Sequence, residues 1–98
     1  MPESSFDFTV QHVFYIHPPM DRVILVGMID RGEVRPGDSA VVKTQNGNYQ
    51  VIVEAIEGYK VGELPGACAG QQVGLRLTGS MRANQATTGN RVEGTPRA

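Results

Sequence analysis

The sequence predicts an all-β fold, and more specifically a single small closed Greek-key-like β-barrel of about six to seven strands. Apolar residues alternate with polar ones along several short segments, as they do in half-buried strands. Nowhere do apolar residues recur at helical spacing over three turns. The 12 glycines and 6 prolines punctuate the chain as turn residues, which is typical of barrels and sandwiches. The 98 residues suffice for one domain with one core, so we expect residues 1-98 to form one domain, with an ordered barrel over 6-92 and a flexible tail over 93-98.

The first predicted strand begins at Phe6 and the second at Arg22. One parity of the first strand is apolar and predicts its inward face: Phe6, Phe8, Val10, Phe14 and Ile16. His12 falls on the same parity. Pro18 and Pro19 then end the strand, since proline cannot donate to a ladder. The following segment, Arg22 to Ile29, is apolar on both faces and therefore predicts a central strand.

Turn signals divide the rest of the chain. The predicted turns are Asp30 to Gly32, Arg35 to Asp38 and the Asn-Gly hairpin at 45–48, and the predicted strands are 39–44, 49–57, 72–78 and, more weakly, 85–92. Residues 58–70 hold four glycines and a proline, which predicts an irregular loop across one end of the barrel.

Composition narrows the classes of function. The formal net charge of -1 gives no global field that would attract a phosphate backbone or an anionic membrane. The single cysteine, Cys68, cannot form an intramolecular disulfide. The sequence has neither a secretory signal nor an apolar run long enough for a membrane helix. These features predict a cytoplasmic protein that does not bind membranes.

Catalytic and metal-binding motifs are not recognisable. Cys68 has no adjacent base, so a small buried filler is the preferred interpretation of this residue. Together with His12 and His17 it gives too few ligands, too widely spaced, for zinc. Glu54 and Glu57 lack a partner motif for acid-base chemistry. We therefore expect a protein that is not an enzyme and that has no cofactor or metal.

Several segments resemble the second domain of translational GTPases such as elongation factor Tu. The resemblance covers about residues 6 to 92 and is carried, in order, by Val13-Phe14-Tyr15-Ile16, Val26-Gly27, the run from Ile29 to Asp38, Ile56-Glu57 and the run from Ala69 to Gly79. It implies the six-to-seven-stranded barrel of that domain. It also implies contact with the aminoacyl end of transfer RNA or with partner domains.

The chain departs from the family at two places near that surface. His12 stands where family members often carry an acidic residue, and the turn 17–21 replaces a Gly-rich polar loop. No Gly-x-x-x-x-Gly-Lys-Ser/Thr loop occurs, so we expect no nucleotide binding.

The loop at 58–64 and the turn at 17–22 are the candidate contact surfaces, because loops on a rigid scaffold often carry function. Tyr59 and Lys60 place an aromatic ring beside a cation, which suits either a nucleobase with its phosphate or a protein partner. The candidate partner-binding residues are Tyr59, Lys60, Leu64, His17, Met20, Arg22 and His12. The leading hypothesis is a non-catalytic module that binds a protein or ribonucleoprotein. The alternatives are binding of an RNA end and self-association through a sheet edge.

Overall fold

The computed structural model describes residues 4–79 and 81–96, and nearly all of the regular structure in them is β. The strands are β1 (Phe6–Ile16), β2 (Arg22–Val34), β3 (Ser39–Thr44), β4 (Gly47–Gly58), β5 (Gly62–Leu64), β6 (Ala67–Cys68), β7 (Gln72–Gly79) and β8 (Arg91–Gly94), with a short 3-10 helix at Ala83–Gln85. Within the described ranges, no helix has the length and apolar character needed to cross a membrane.

Six of the strands close a barrel. Their order is β1-β8-β3-β4-β7-β2, and β2 pairs again with β1 to complete the circle. All of these pairs are antiparallel. The two short strands, β5 and β6, add to β4 and β2 outside this circle. The predicted all-β class and closed barrel are therefore confirmed.

Alternating side chains of the six strands fill the interior. Phe6 and Phe8 of β1 are fully buried, and so is Leu25 of β2. The predicted inward residues of β7 (Val73, Leu75 and Leu77) are also buried. β2 lies between β1 and β7, as its two apolar faces predicted.

β2 is longer than the sequence indicated. The predicted turn at 30–32 lies within the strand, which continues to Val34. A register shift against β1 leaves Asp30 unpaired as a β-bulge, while Arg31 and Gly32 still lie opposite Asp7 and Phe6. Gly32 has φ +80, a conformation open to glycine at little cost. The bulge accommodates the extra residue, so the strand continues through the turn-like segment 30–32.

The predicted loop at 58–70 contains both short strands. β6 pairs Ala67 with Val34 and Cys68 with Glu33. In this pair Ala67 takes the inward position and is buried, so Cys68 faces solvent. The prediction that Cys68 is a buried filler is wrong, because alternation along β6 allows only one of the two residues to face the core.

The C-terminal part also differs from the expected elements. The weak strand expected at 85–92 is replaced by the 3-10 helix, a turn and β8. Glu93 and Gly94, expected in the flexible tail, belong to β8 and pair with β3. The tail residues 97–98 lie outside the described part of the chain.

Candidate functional site

A β-bulge in β1 determines which side chains face outward near the end of that strand. The register against β2 shifts between Val10 and His12, so Gln11 has no partner of its own. Beyond this point the parity is reversed: Val13 packs against the core, and Phe14 is 54% exposed. The inward position predicted for Phe14 is therefore wrong, because one extra residue exchanges the two faces of a strand.

Phe14 forms one wall of an apolar groove on the outside of the barrel, which we call the outer groove. Its volume is about 380 Å³. The strands β1, β2, β7 and β4 lie side by side beneath it. Its lining residues are Phe14, Ile24, Val26, Glu57, Gly58, Tyr59, Gln72, Val73 and Gly74.

The depth of the outer groove depends on Gly74. This residue lies opposite Val26 on β2 and opposite Glu57 on β4. A Cβ atom at Gly74 would lie 3.1 Å from Cγ2 of Ile24 and 3.6 Å from Cγ2 of Val26. Because glycine has no side chain, the methyl groups of these two residues form an open floor.

The β4–β5 hairpin raises a second aromatic side chain beside the groove. Tyr59 is 84% exposed, and Val61 next to it is 67% exposed. Lys60 at the tip has φ 61, a left-handed conformation that is uncommon outside glycine. Its Nζ lies 5.3 Å from the centre of the Tyr59 ring. The hairpin thus presents apolar side chains to solvent around one cation.

Carboxylates flank the outer groove on the β4 side. Arg76 contacts Glu54 at 2.8 Å, Glu57 at 3.4 Å and Glu63 at 3.3 Å. Glu54 also forms an ion pair with Arg22, at 3.1 Å. Burial alone would lower the pKa of Arg76, but the carboxylates, Glu54 foremost, raise it. The hydrogen bond from Arg22 holds the pKa of Glu54 below its usual value, and the one from Arg76 adds to this effect.

This shift predicts how Glu54 contributes to stability. Its pKa is lower in the folded than in the unfolded state, so its contribution is present above the ordinary value of 4.5 and is lost as the pH falls through the folded value. We expect Glu54→Gln to lower the free energy of unfolding by up to about 1 kcal/mol at pH 7. The difference from wild type should be smaller at about pH 3 than at pH 7.

Urea titrations of wild type and Glu54→Gln at pH 7 and at about pH 3 measure this difference in the free energy of unfolding. Glu63→Gln is the matched control, because its carboxylate is 65% exposed and contacts the same guanidinium at 3.3 Å. The control should change stability less than Glu54→Gln. A Glu54→Gln deficit of equal size at both pH values would contradict the assigned pKa shift.

The β1–β2 turn borders a second cavity, of about 850 Å³, at one end of the barrel. The Tyr15 hydroxyl donates to Oδ1 of Asp21 at 2.5 Å, and this bond raises the pKa of Tyr15. Arg22 donates to the carbonyl oxygen of Met20 as well as to Glu54. The ring of His17 lies edge-on to Tyr15, with centroids 5.1 Å apart. The donors of Arg22 are thus largely engaged within the protein.

The structure separates the seven sequence-predicted residues into different places. Tyr59 lines the outer groove. Lys60 does not line it, although its Nζ lies near the Tyr59 ring. His12 is exposed, with its ring 6.3 Å from that of Phe14. His17, Met20 and Arg22 belong to the turn at the barrel end. Leu64 is half-buried and packs against the core.

Sequence reasoning missed the Phe14 wall and the floor of the groove. Ile24 and Val26 carried a signal, because β2 is apolar on its outer face as well as its inner one. Gly74 lay within the run from Ala69 to Gly79 that carries the resemblance, but nothing marked it as part of a site. For Phe14 the one signal was the polar His12 on an apolar parity, which is compatible with a bulge before it.

Comparison with known proteins identifies the fold. No protein-family model matches the sequence, and no curated protein matches it significantly. Translation elongation factor SelB from Methanococcus maripaludis, in complex with the GTP analogue GppNHp, matches with a TM-score of 0.76 and 24% identity over 95% of this chain. Its apo form gives the same values. The chain has the fold of the translational GTPase domain 2 barrel.

A second solved structure shares the domain 2 barrel. The Ski7 GTPase-like domain of S. cerevisiae, bound to GDP and inorganic phosphate, matches with a TM-score of 0.73 and 14% identity over 93% of this chain. The chain spans 20% of the SelB chain and 23% of the Ski7 chain. The likeness is thus confined to about a fifth of each neighbour and concerns the fold.

Proposed function

We propose that this domain 2 barrel is a non-catalytic binding module whose outer groove docks a protein partner. The observation that carries the proposal is the exposed apolar groove between Phe14 and Tyr59, floored by Ile24 and Val26. Exposed apolar surface of this kind, bordered by polar residues, is characteristic of interaction sites. A cytoplasmic location belongs to the same proposal, because the chain's one cysteine cannot pair within it.

The aromatic side chains give this surface the character of a protein-docking site. Buried aromatic anchors dominate the binding energy of most interfaces. Phe14 lies on a strand and Tyr59 on a short hairpin, so the backbone at both residues is ordered before a partner binds. Their rings stand on either side of a floor that a partner's apolar side chain would cover.

Binding of an RNA end is the second candidate function, and one observation favours it. Tyr59 presents an exposed ring with Lys60 beside it, which is the pair that stacks a base and neutralises a phosphate. Against it stands Glu57, a carboxylate in the groove wall, and a formal net charge of -1. A phosphate in the groove would therefore meet a like charge, so we prefer the protein partner.

A pull-down from lysate with wild type and a double variant tests the proposal. Phe14→Ala with Tyr59→Ala removes both rings, and because both are exposed we expect the fold to persist. Ile52→Ala is the matched control, since Ile52 is 48% exposed but lies outside the groove. A discrete protein should be recovered by wild type and by the control, should resist nuclease and high salt, and should be lost from the double variant.

Other outcomes would contradict the proposal. Recovery of RNA that disappears with nuclease and salt would favour the RNA-end function. Recovery by tagged protein of untagged copies alone would indicate self-association. A protein retained equally by the double variant would place the binding surface elsewhere on the barrel.

A further inference from the structure

The outer groove carries a negative charge, that of the Glu57 carboxylate. Among the groove residues that the structure describes, Glu57 is the one charged side chain. It lies beside Gly74, at the edge of the apolar floor. An occupant that is apolar throughout would leave this carboxylate facing an apolar surface, which is unfavourable without a partner. A cationic group at the end of an apolar stem would pair with it.

The contacts of Glu57 within the protein leave it incompletely neutralised. Its bond to Arg76 is 3.4 Å long, against 2.8 Å for the bond of the same guanidinium to Glu54. The Glu57 side chain is 37% exposed. Three carboxylates here share two guanidiniums, those of Arg76 and Arg22. These five side chains together carry one net negative charge, which favours a further cation beside Glu57.

Lys60, the cation of the β4–β5 hairpin, is directed toward Tyr59 and not toward Glu57. Lys60 holds its Nζ over the ring of Tyr59, and in the described part of the chain no ion pair joins it to Glu57 or Glu63. This arrangement is the geometry of a cation–π contact on the ring of Tyr59. The exposed ring of Phe14 offers a second aromatic surface to a cation that enters the groove.

We propose that the outer groove takes an arginine side chain of the protein partner. Its methylene stem packs on Ile24 and Val26, and its guanidinium lies against an aromatic wall and pairs with Glu57. Arginine suits this site better than lysine, because its planar guanidinium stacks on rings and pairs with a carboxylate through two hydrogen bonds. The inference rests on the proposed function and adds the chemistry of the partner's anchoring residue.

Titration with small probes, followed by the backbone amide signals of ¹⁵N-labelled protein, tests this inference. The probe is N-acetyl-arginine methylamide, and the comparison is N-acetyl-citrulline methylamide, which has the same length and planar end group without the charge. For so small a ligand we expect a Kd of about 1 to 10 mM. The amide signals of Val26, Gly58 and Gly74 should shift, and citrulline should bind about fivefold more weakly.

Two variants separate the groove carboxylate from the neighbouring charges. Glu57→Gln should weaken arginine binding about fivefold and remove most of the preference for arginine over citrulline. Glu63→Gln is the control, because Glu63 contacts the same Arg76 but does not line the groove. It should keep the preference for arginine. The amide spectrum itself shows whether each variant is folded.

The inference is overturned if citrulline binds as well as arginine, if Glu57→Gln keeps the preference, or if the groove amides do not respond at about 50 mM probe, well above the expected Kd. A preference for adenosine monophosphate over both probes would also overturn it. Failure of the proposed function is a different result: in that case the pull-down partner is retained when both Phe14 and Tyr59 are replaced.

Discussion

Gly27→Ala is expected to destabilise the barrel by about 3 kcal/mol or more, the upper end of the range for overpacked interiors. Gly27 lies in the middle of β2 with a partner on each side, Val10 on β1 and Val73 on β7. A Cβ atom there would overlap the backbone carbonyl oxygen of Thr9 and come within 2.9 Å of Cζ of Phe8. Backbone cannot move aside as a side-chain end can, so the paired strands would have to separate.

Urea unfolding of wild type and Gly27→Ala measures this effect. Gly66→Ala is the matched control: a Cβ atom at Gly66 would have the Val34 carbonyl oxygen as its nearest neighbour, at 3.3 Å. We expect the control to change the free energy of unfolding by less than about 1 kcal/mol. Equal losses in the two variants would show that β1 and β2 tolerate the added methyl group, contrary to the close approach seen in the structure.

Phe8→Ala is expected to lower the free energy of unfolding by about 3 to 5 kcal/mol. Phe8 is fully buried, and its ring reaches Gly27 across the first strand pair. Removing the ring leaves a cavity that the closed barrel cannot fill, because hydrogen bonds on both sides fix the strands around it. The melting temperature should fall by more than about 12 °C.

Phe14→Ala provides the comparison, because it removes the same ring from the same strand. Phe14 is 54% exposed, so its removal should cost less than about 1 kcal/mol. Thermal unfolding of the two variants, followed by circular dichroism, measures both effects. If the two losses were similar, the bulge at Gln11 would not separate the core face from the outer face as the structure indicates.

The barrel itself could be predicted because its signals are local and repeated. Alternation along β7 gave the correct inward residues, and the two apolar faces of β2 gave its central place. The Asn-Gly hairpin marked the β3–β4 connection, where β3 ends at Thr44 and β4 begins at Gly47. These patterns depend on the period of two residues that any strand with one buried face shows.

The bulges could not be placed, and the short strands could not be predicted. The polar His12 on an apolar parity is compatible with a bulge, but the position of an extra residue at Gln11 or Asp30 depends on the register with a neighbouring strand. β5 and β6 are only three and two residues long, too short for a periodic pattern. The error over Cys68 has the same origin, since its outward position depends on pairing with β2.

The candidate site could be predicted only where it lies on a loop. Tyr59 and Lys60 were predicted from an aromatic and a cation in a glycine-rich segment. Tyr59 lines the outer groove, whereas Lys60 lies over the Tyr59 ring and does not line the groove. The groove itself depends on side chains of separate strands, Ile24 of β2 and Gly74 of β7. Their proximity follows from the strand order of the closed barrel, which a single sequence does not specify.

The bulge at Gln11 makes the inside and the outside of the barrel interdependent. Val13 and Phe14 occupy adjacent positions on one strand, so whichever of them seals the interior leaves the other in contact with water. If β1 were straight and Gln11 took a regular place in the alternation, Val13 would face the surface and Phe14 the interior, with the amino-acid sequence unchanged. The extra residue at position 11 therefore sets both a side chain of the core and a side chain that lines the outer groove.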